Sequence, residues 1–167
     1  VLADDSVLMR AGIREILTTS GHEVVAEGED ATQLVASVDA LVRDGVAPDL
    51  VITDVRMPPT MSNDGLRAAR ELKSELPGLS VLVLSQYVAP LYAQELFALP
   101  SGPGSGGSGY LLKARVAEVA DFLASLRLVL SGGVVIDPDV ARAMMRSSRS
   151  GLGELTQREL EVLELMA

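Results

Sequence analysis

The stretch Asp49–Pro59, "DLVITDVRMPP", decides the fold, because an unbroken apolar run ends there in an aspartate followed by a turn. Residues Leu50–Ile52 show no polar alternation, which is typical of a strand that is covered on both faces. Met57 and the two prolines after it predict a loop. We therefore expect Asp54 at the carboxyl end of a buried parallel strand, the edge of an open sheet where ligands bind.

Strands of this kind alternate with amphipathic helices along most of the chain. The apolar pattern predicts five strands, at Val1–Ala3, Val24–Ala26, Leu50–Asp54, Leu79–Ser85 and Gly109–Leu112. A helical pattern follows each strand, and the last one ends at Gly132 and Gly133. This alternation predicts an α/β fold with a doubly wound, five-stranded parallel sheet in the order 2-1-3-4-5.

Composition limits the classes of function. The 167 residues are 48% hydrophobic, carry a net charge of −9 and include no cysteine and one histidine, His22. Disulfides and thiolate metal sites are excluded, and a histidine-rich metal site is disfavoured. No apolar run is long enough to span a bilayer and no leader pattern is present, so we expect a cytoplasmic protein without membrane contact. The acidic charge disfavours binding of DNA phosphates by these residues.

The C-terminal part has a different composition and predicts a separate organisation. Asp137 is a predicted N-cap with Pro138 at the first helical position, inside a linker with a short helix at 132–153. Residues 154–167, "ELTQRELEVLELMA", begin a truncated all-α segment, in which Thr156 and Glu159 form a capping box. The chain also opens partway into a strand, so both ends are expected to be truncations.

Acidic residues follow two predicted neighbouring strands. Asp4 and Asp5 end the first strand and Asp54 ends the third, so all three carboxylates should meet in one crevice. Their mutual repulsion is relieved most simply by a hard divalent cation such as Mg²⁺, which binds carboxylates together with phosphate oxygens. The alternative is that Asp4 and Asp5 only cap the first helix.

Two further strand ends supply groups that suit phosphate chemistry. Ser85 ends the fourth strand with a hydroxyl, and Lys113 follows the fifth strand with a mobile cation. A plain turn residue is the alternative for Ser85. Gly104, Gly106 and Gly109 fit the spacing G-x-G-x-x-G, but they precede a strand and so predict a loop and no nucleotide site.

The pattern "ADD…ITDVRMP…VLVLS…GYLLK" resembles the receiver domain of bacterial two-component response regulators, over residues 1–131. The resemblance implies a flavodoxin-like receiver fold, in which Asp54 accepts a phosphoryl group from a sensor histidine kinase. It also implies Mg²⁺ as cofactor, bound by Asp5, Asp54 and the backbone carbonyl of Arg56, with Asp4 acting through water. Pro58 matches the loop proline of the family.

The same resemblance implies a switch in which Lys113 pairs with the phosphoryl group, Ser85 is the switching hydroxyl and Tyr110 is the aromatic that turns inward. A core position is the alternative for Tyr110. From their positions beside the acceptor we expect Arg56 and Tyr87 to gate water, because two large side chains there would exclude it from the phosphorus. The loops at 58–65 and 99–109 are longer than the family usually has.

The tail "LTQRELEVLELMA" resembles the first helix of the LuxR-type helix-turn-helix domain of NarL/FixJ-class regulators. The resemblance implies DNA as a partner through a C-terminal domain missing from this chain, so residues 1–167 alone should not bind DNA specifically. It also implies a homodimer of the phosphorylated protein. We expect the first and fifth helices to pair, through the apolar stripe that includes Val119 and Leu126.

The function predicted in this way is a response regulator whose phosphorylation on Asp54 controls DNA binding and transcription, a switch and not a turnover enzyme. The alternative is a receiver-only module for protein interaction without DNA-binding output. A Mg²⁺-dependent phosphatase with an aspartyl nucleophile would usually place an acid two residues after Asp54, where Arg56 stands.

Overall fold

A single parallel sheet organises the protein, whose computed structural model describes residues 1–149. The strands are β1 (Leu2–Ala3), β2 (Glu27–Gly28), β3 (Leu50–Asp54), β4 (Ser80–Ser85), β5 (Ser108–Leu112) and β6 (Val134–Ile136). They are ordered β2-β1-β3-β4-β5-β6, and every pair of neighbours is parallel. The carboxyl ends of all six strands therefore lie at one edge of the sheet.

Six α-helices and one 3₁₀ turn connect and flank these strands within the described residues. The helices are α1 (Val7–Thr19), α2 (Ala31–Arg43), α3 (Asp64–Glu75), α4 (Pro90–Phe97), α5 (Val119–Leu130) and α6 (138–149), and the 3₁₀ turn is Lys113–Ala117. None of these helices has both the length and the apolar character needed to cross a bilayer.

Each face of the sheet carries its own apolar core. On one face, buried residues of α1 and α5, such as Ile13 and Leu126, pack against Leu2 and Leu82. The other face is covered by α2, α3, α4 and α6, whose buried side chains pack around Val81, Val83 and Tyr110. Residues of the central strands β3 and β4 are buried on both faces of the sheet, which explains why their sequences are apolar without alternation.

The predicted α/β class and the strand order 2-1-3-4-5 are confirmed, and the structure adds a sixth strand. The prediction of five strands missed β6, whose Val134–Ile136 pairs with Ser108–Tyr110 of β5. The second strand also lies later than the predicted Val24–Ala26. Leu2 N–H donates to Ala26 O and Asp4 N–H donates to Gly28 O, so the ladder with β1 runs through Glu27–Gly28.

The two long loops are held by side-chain contacts. At 58–65, the carboxylate of Asp64 accepts hydrogen bonds from Thr60 N–H at 2.8 Å and from Thr60 Oγ1 at 2.7 Å. At 99–107, the buried Lys73 ammonium donates to the carbonyls of Leu79, Gly106 and Gly107 at 3.1, 2.7 and 3.2 Å. Burial lowers the pKa of Lys73, since no carboxylate compensates its charge in the described part of the chain.

The segment after α5 is structured up to the end of the described residues. Residues 134–136, which the sequence placed in the linker, belong to the sheet, and α6 follows directly at 138. Asp137 accepts from Asp139 N–H through its side chain and from Ala141 N–H through its carbonyl, so its predicted N-cap role is confirmed. The domain limits at 131 and 153 stay predictions, and the helix expected at 154–167 lies outside the described residues.

Candidate phosphoryl-acceptor site

Three carboxylates meet at the carboxyl edge of the sheet. Asp4 and Asp5 directly follow β1, and Asp54 ends the adjacent strand β3. One oxygen from each carboxylate lies within 4.8 Å of the others, and these three residues are the acid cluster. Asp4 and Asp54 are 1% and 5% exposed, whereas Asp5 is open to solvent. The cluster predicted from the strand ends is therefore present.

Capping of α1 does not explain these acids. The N-cap of α1 is Ser6, whose hydroxyl accepts the Met9 N–H at 3.3 Å. Asp4 Oδ1 accepts the Ser6 N–H at 2.8 Å, which fixes the orientation of this carboxylate. Its Oδ2 lies 3.0 Å from the ammonium of Lys113.

Lys113 reaches the acid cluster from the first residue after β5. Its Nζ donates a hydrogen bond to Asp54 Oδ2 at 2.8 Å and forms an ion pair with Asp4 Oδ2 at 3.0 Å. Burial alone would lower the pKa of Lys113, but its contacts with Asp54 and Asp4 outweigh burial and raise the pKa. Lys113 therefore stays charged between two buried carboxylates.

The ammonium of Lys113 alone does not neutralise the three carboxylates of the acid cluster. Burial raises the pKa of Asp54 above its ordinary value, the charge of Asp4 adds to this, and the contacts with Lys113 oppose it. Asp4 Oδ2 is buried without a hydrogen bond. The acid cluster can therefore hold a metal ion, and its all-oxygen donor set fits a hard divalent cation.

The remaining predicted residues border the acid cluster. Arg56 N–H donates to Asp54 Oδ1 at 3.4 Å, which brings the Arg56 main chain beside the acceptor. Ser85 is the last residue of β4. Its hydroxyl donates a hydrogen bond to the Tyr87 carbonyl at 2.7 Å and accepts one from the Tyr87 N–H at 3.3 Å. In this state the hydroxyl is bound to its own loop.

Tyr110 is fully buried in the core on the α2–α4 face, so the core position that the sequence left open for it is occupied in this state. Its hydroxyl makes no hydrogen bond although it is enclosed. Burial raises the pKa of Tyr110, and the nearby Ser85 side chain opposes this effect. An inward ring beside the Ser85 hydroxyl is the arrangement that a coupled switch between these two residues needs.

The predicted gating pair is in contact. The guanidinium carbon of Arg56 lies 5.3 Å from the centre of the Tyr87 ring, within the range of a cation–π interaction. Both side chains are exposed at the surface.

Arg10 is a residue of this site that the sequence did not reveal. Its Nη1 donates to the Asp4 carbonyl at 2.6 Å, and its side chain is 14% exposed. Its guanidinium also lies 3.7 Å from Glu27 and 3.7 Å from Glu29. Arg10 thus ties the loop that carries the first two acids to the end of β2. The only sequence signal was an arginine one turn into α1, which is also typical of a solvated helix face.

Comparison with known families agrees with this geometry. The family model of the response regulator receiver domain matches residues 1–119. The chain belongs to this family. It therefore acts in two-component signalling, and the family recognised from the sequence is confirmed.

Individual response regulators match almost the whole chain. It is 32% identical over 188 residues to the transcriptional regulatory protein DegU of Brevibacillus brevis, covering 99% of this chain and 73% of DegU. It is 33% identical over 172 residues to the response regulator protein VraR of Staphylococcus aureus, covering 100% of this chain and 74% of VraR.

Solved structures show the same receiver fold. A LuxR-family two-component response regulator from Aurantimonas sp. SI85-9A1 superposes with a TM-score of 0.68 at 21% identity, over 88% of this chain and 94% of that one. The RcsB response regulator of Salmonella typhimurium superposes with a TM-score of 0.68 at 26% identity, over 90% of this chain and 66% of that one.

Proposed function

We propose that this receiver is a phosphorylation-controlled switch in which Asp54 accepts a phosphoryl group from a sensor histidine kinase. The observation that carries the proposal is the contact of Lys113 with both Asp54 and Asp4 inside the acid cluster. This arrangement gives a buried carboxylate nucleophile a neighbouring cation at the edge of the sheet that faces solvent. Within residues 1–149, Asp4 and Asp54 are the aspartates with a lysine ammonium in contact, and the hydrogen bond from Lys113 goes to Asp54.

The residues present suit transfer to a carboxylate oxygen. An oxygen of Asp54 attacks the phosphorus of a phosphohistidine, the P–N bond breaks, and its electron pair returns to the imidazole nitrogen. Lys113 lies 2.8 Å from Asp54 Oδ2, so its ammonium is placed to contact a phosphoryl oxygen on Asp54 and to compensate the added charge. Since an acyl phosphate forms and no water is activated, we propose a switch and not a turnover enzyme.

Mg²⁺ is the cofactor that we propose for the acid cluster. When bound, it would neutralise the carboxylates and the phosphoryl oxygens during transfer. Asp5, Asp54 and the backbone carbonyl of Arg56 would hold it, and Asp4 would contribute through water. The buried Asp4 oxygen without a hydrogen bond supports this proposal.

We propose that the signal leaves the site through Ser85 and Tyr110. A phosphoryl group on Asp54 competes with the Tyr87 main chain for the Ser85 hydroxyl, which breaks the contacts at 2.7 and 3.3 Å. The β4–α4 loop then moves, and Arg56 and Tyr87 close over the acceptor and exclude water.

The output that we propose is transcriptional regulation through DNA binding by a C-terminal domain. DegU is named a transcriptional regulatory protein, and an RcsB–DNA complex superposes on this chain with a TM-score of 0.66 at 25% identity. The cytoplasmic location expected from the sequence stays a prediction.

We further propose that the phosphorylated protein dimerises through α1 and α5. The structure corrects the predicted face, because Leu126 is fully buried and only Val119 of that stripe is exposed. Exposed apolar residues on these helices are Val7, Leu8, Val119 and Leu128. Replacing Leu8 and Leu128 with serine should abolish the dimer seen by light scattering after phosphorylation, and a retained dimer would place the interface elsewhere.

The acceptor is tested by incubating the protein with Mg²⁺ and acetyl phosphate and measuring its intact mass. We expect one added phosphoryl group on the wild type and none on Asp54→Asn. Asp39→Asn, a change on the exposed side of α2, is the matched control and should still be labelled. Stoichiometric labelling of Asp54→Asn would refute the assignment.

A further inference from the structure

Asp137 is a fully buried carboxylate after β6 that the phosphoryl chemistry does not use. Its Oδ2 accepts hydrogen bonds from Leu112 N–H at 3.1 Å and from Arg115 Nε at 2.9 Å. Its Oδ1 accepts from Asp139 N–H at 2.9 Å. One side chain therefore joins the end of β5, the 3₁₀ turn and the first turn of α6.

The main chain of Asp137 makes the same connection. Its N–H donates to the carbonyl of Tyr110 at 2.8 Å, and its carbonyl accepts the Ala141 N–H at 2.9 Å in α6. Asp137 is thus bound on one side to the strand that carries the switch aromatic and on the other side to the helix that leaves the sheet.

Lys113 lies inside the segment that Asp137 holds. Leu112 before it and Arg115 after it both donate to Asp137 Oδ2, while the Lys113 ammonium contacts Asp54 at 2.8 Å. The carboxylate of Asp137 therefore either resists a displacement of Lys113 towards a phosphoryl group or transmits this displacement to α6.

α6 also shares a core with Tyr110. Val140 is fully buried in the cluster that contains Tyr110, and Met144 packs against the same cluster. Movement of the Tyr110 ring thus changes the surface on which α6 rests. Packed cores are bistable and do not deform continuously, so such a change can shift the whole helix.

From these contacts we propose that Asp137 is a positioning residue that couples the phosphoryl site to α6. It holds the Lys113 segment and the first turn of α6 in one hydrogen-bond network, so that occupation of Asp54 alters the stability of this helix. The proposal rests on the proposed role of Asp54. This network would connect the phosphoryl site with the C-terminal side of the chain by a route that does not involve the Ser85 hydroxyl.

The network offers variants that separate coupling from folding. Asp137→Asn keeps the shape but turns one acceptor into a donor facing Arg115. Arg115→Gln leaves the capping of α6 by Asp137 intact and removes the Arg115 contacts with Asp137 and Asp139. Arg142→Gln is the matched control, because Arg142 contacts Asp139 at 3.6 Å and does not contact Asp137.

The experiment compares amide hydrogen exchange of residues 138–149 with and without Mg²⁺ and beryllium fluoride, which mimics a phosphoryl group on a carboxylate. Fluorine NMR of the same samples reports whether the mimic is bound. In the wild type and in Arg142→Gln, we expect exchange in α6 to change at least about fivefold on binding, the lower end of ordinary allosteric coupling. In Asp137→Asn and Arg115→Gln, the mimic should bind and the change in α6 should be lost.

A merely structural role would shift exchange equally with and without the mimic, so the comparison within each variant isolates coupling. If Asp137→Asn does not fold, Arg115→Gln decides. A wild type that binds the mimic without any response of α6, or variants that respond as the wild type does, would overturn the coupling. No bound fluorine signal in the wild type would refute the acceptor assignment as well.

Discussion

Gly65 is the position where the structure predicts the largest effect of a single methyl group on the site. It lies at the start of α3, and its N–H donates to the Val55 carbonyl at 3.0 Å. A Cβ at Gly65 would lie 1.7 Å from the Asp54 carbonyl oxygen and 2.9 Å from its carbonyl carbon. The conflicting atoms are main-chain atoms of the proposed acceptor, so no side-chain rotation can relieve the contact.

The magnitude follows from this geometry. Overpacking of a well-filled interior usually costs about 1–3 kcal/mol of unfolding free energy. Because the neighbours of Gly65 are rigid backbone atoms, we expect Gly65→Ala to lose about 3 kcal/mol, the upper end of this range. For a chain of this size, that loss lowers Tm by about 6 to 12 °C. Relief of the contact must move either α3 or the end of β3, so we also expect slower phosphorylation of Asp54.

Gly12 provides the matched control, because it lies inside α1 and a Cβ there would meet no atom within 4 Å. Gly12→Ala should therefore stabilise the protein by about 1 kcal/mol through helix propensity alone. Urea unfolding followed by circular dichroism, and labelling with acetyl phosphate, measure both variants. Gly65→Ala with the stability and labelling rate of the wild type would refute the close approach of α3 to the acceptor.

Three further outcomes follow from the contacts of the site. Lys113→Gln removes a cation 2.8 Å from Asp54 and should tighten Mg²⁺ binding in calorimetry by about tenfold, or about 1.4 kcal/mol, while slowing phosphorylation; weaker binding would contradict this. Arg56→Asn combined with Tyr87→Ala should speed dephosphorylation about tenfold, a barrier change of about 1.4 kcal/mol, and equal decay would exclude gating. Burial alone would raise the pKa of Asp137, but its hydrogen bonds outweigh burial and lower this pKa in the folded protein. The ionised Asp137 therefore contributes its full stabilisation above about pH 4, the pKa of an aspartate in the unfolded chain. This contribution is lost as the pH falls through the lower pKa of the folded state. Asp137→Asn should therefore lose less stability than the wild type in acid titration below about pH 4, and equal losses in the two proteins would contradict this.

The sequence predicted the acid cluster because strand ends can be located from apolar runs. Once Asp4 and Asp54 were assigned to the ends of neighbouring parallel strands, the geometry of the sheet brought them together. The position of Lys113 beside Asp54 was predicted in the same way, from the end of β5. These positions depend on local patterns and on one topological rule, which makes them predictable.

Features that depend on distant packing were not predictable in this way. β6 has only three residues and follows a glycine pair that equally signals the end of an element. Leu126 and Val119 belong to one helical stripe, but only the position of the sheet decides that Leu126 is buried and Val119 is exposed. The role of Arg10 depends on a backbone carbonyl, which no side-chain pattern reports.

The contacts that surround the site also indicate which part of it can move. The backbone segments after β1, β3 and β5 are each fixed by another element, through Arg10, Gly65 and Asp137 respectively. By contrast, the loop after β4 is held near the site by the short-range bonds between Ser85 and the main chain of Tyr87. A phosphoryl group therefore meets a rigid frame on three sides and a weakly held loop on the fourth. Because a ligand shifts the element whose two arrangements differ least in free energy, the β4–α4 loop should move first, and the response at α6 should follow through strain on the fixed β5 segment.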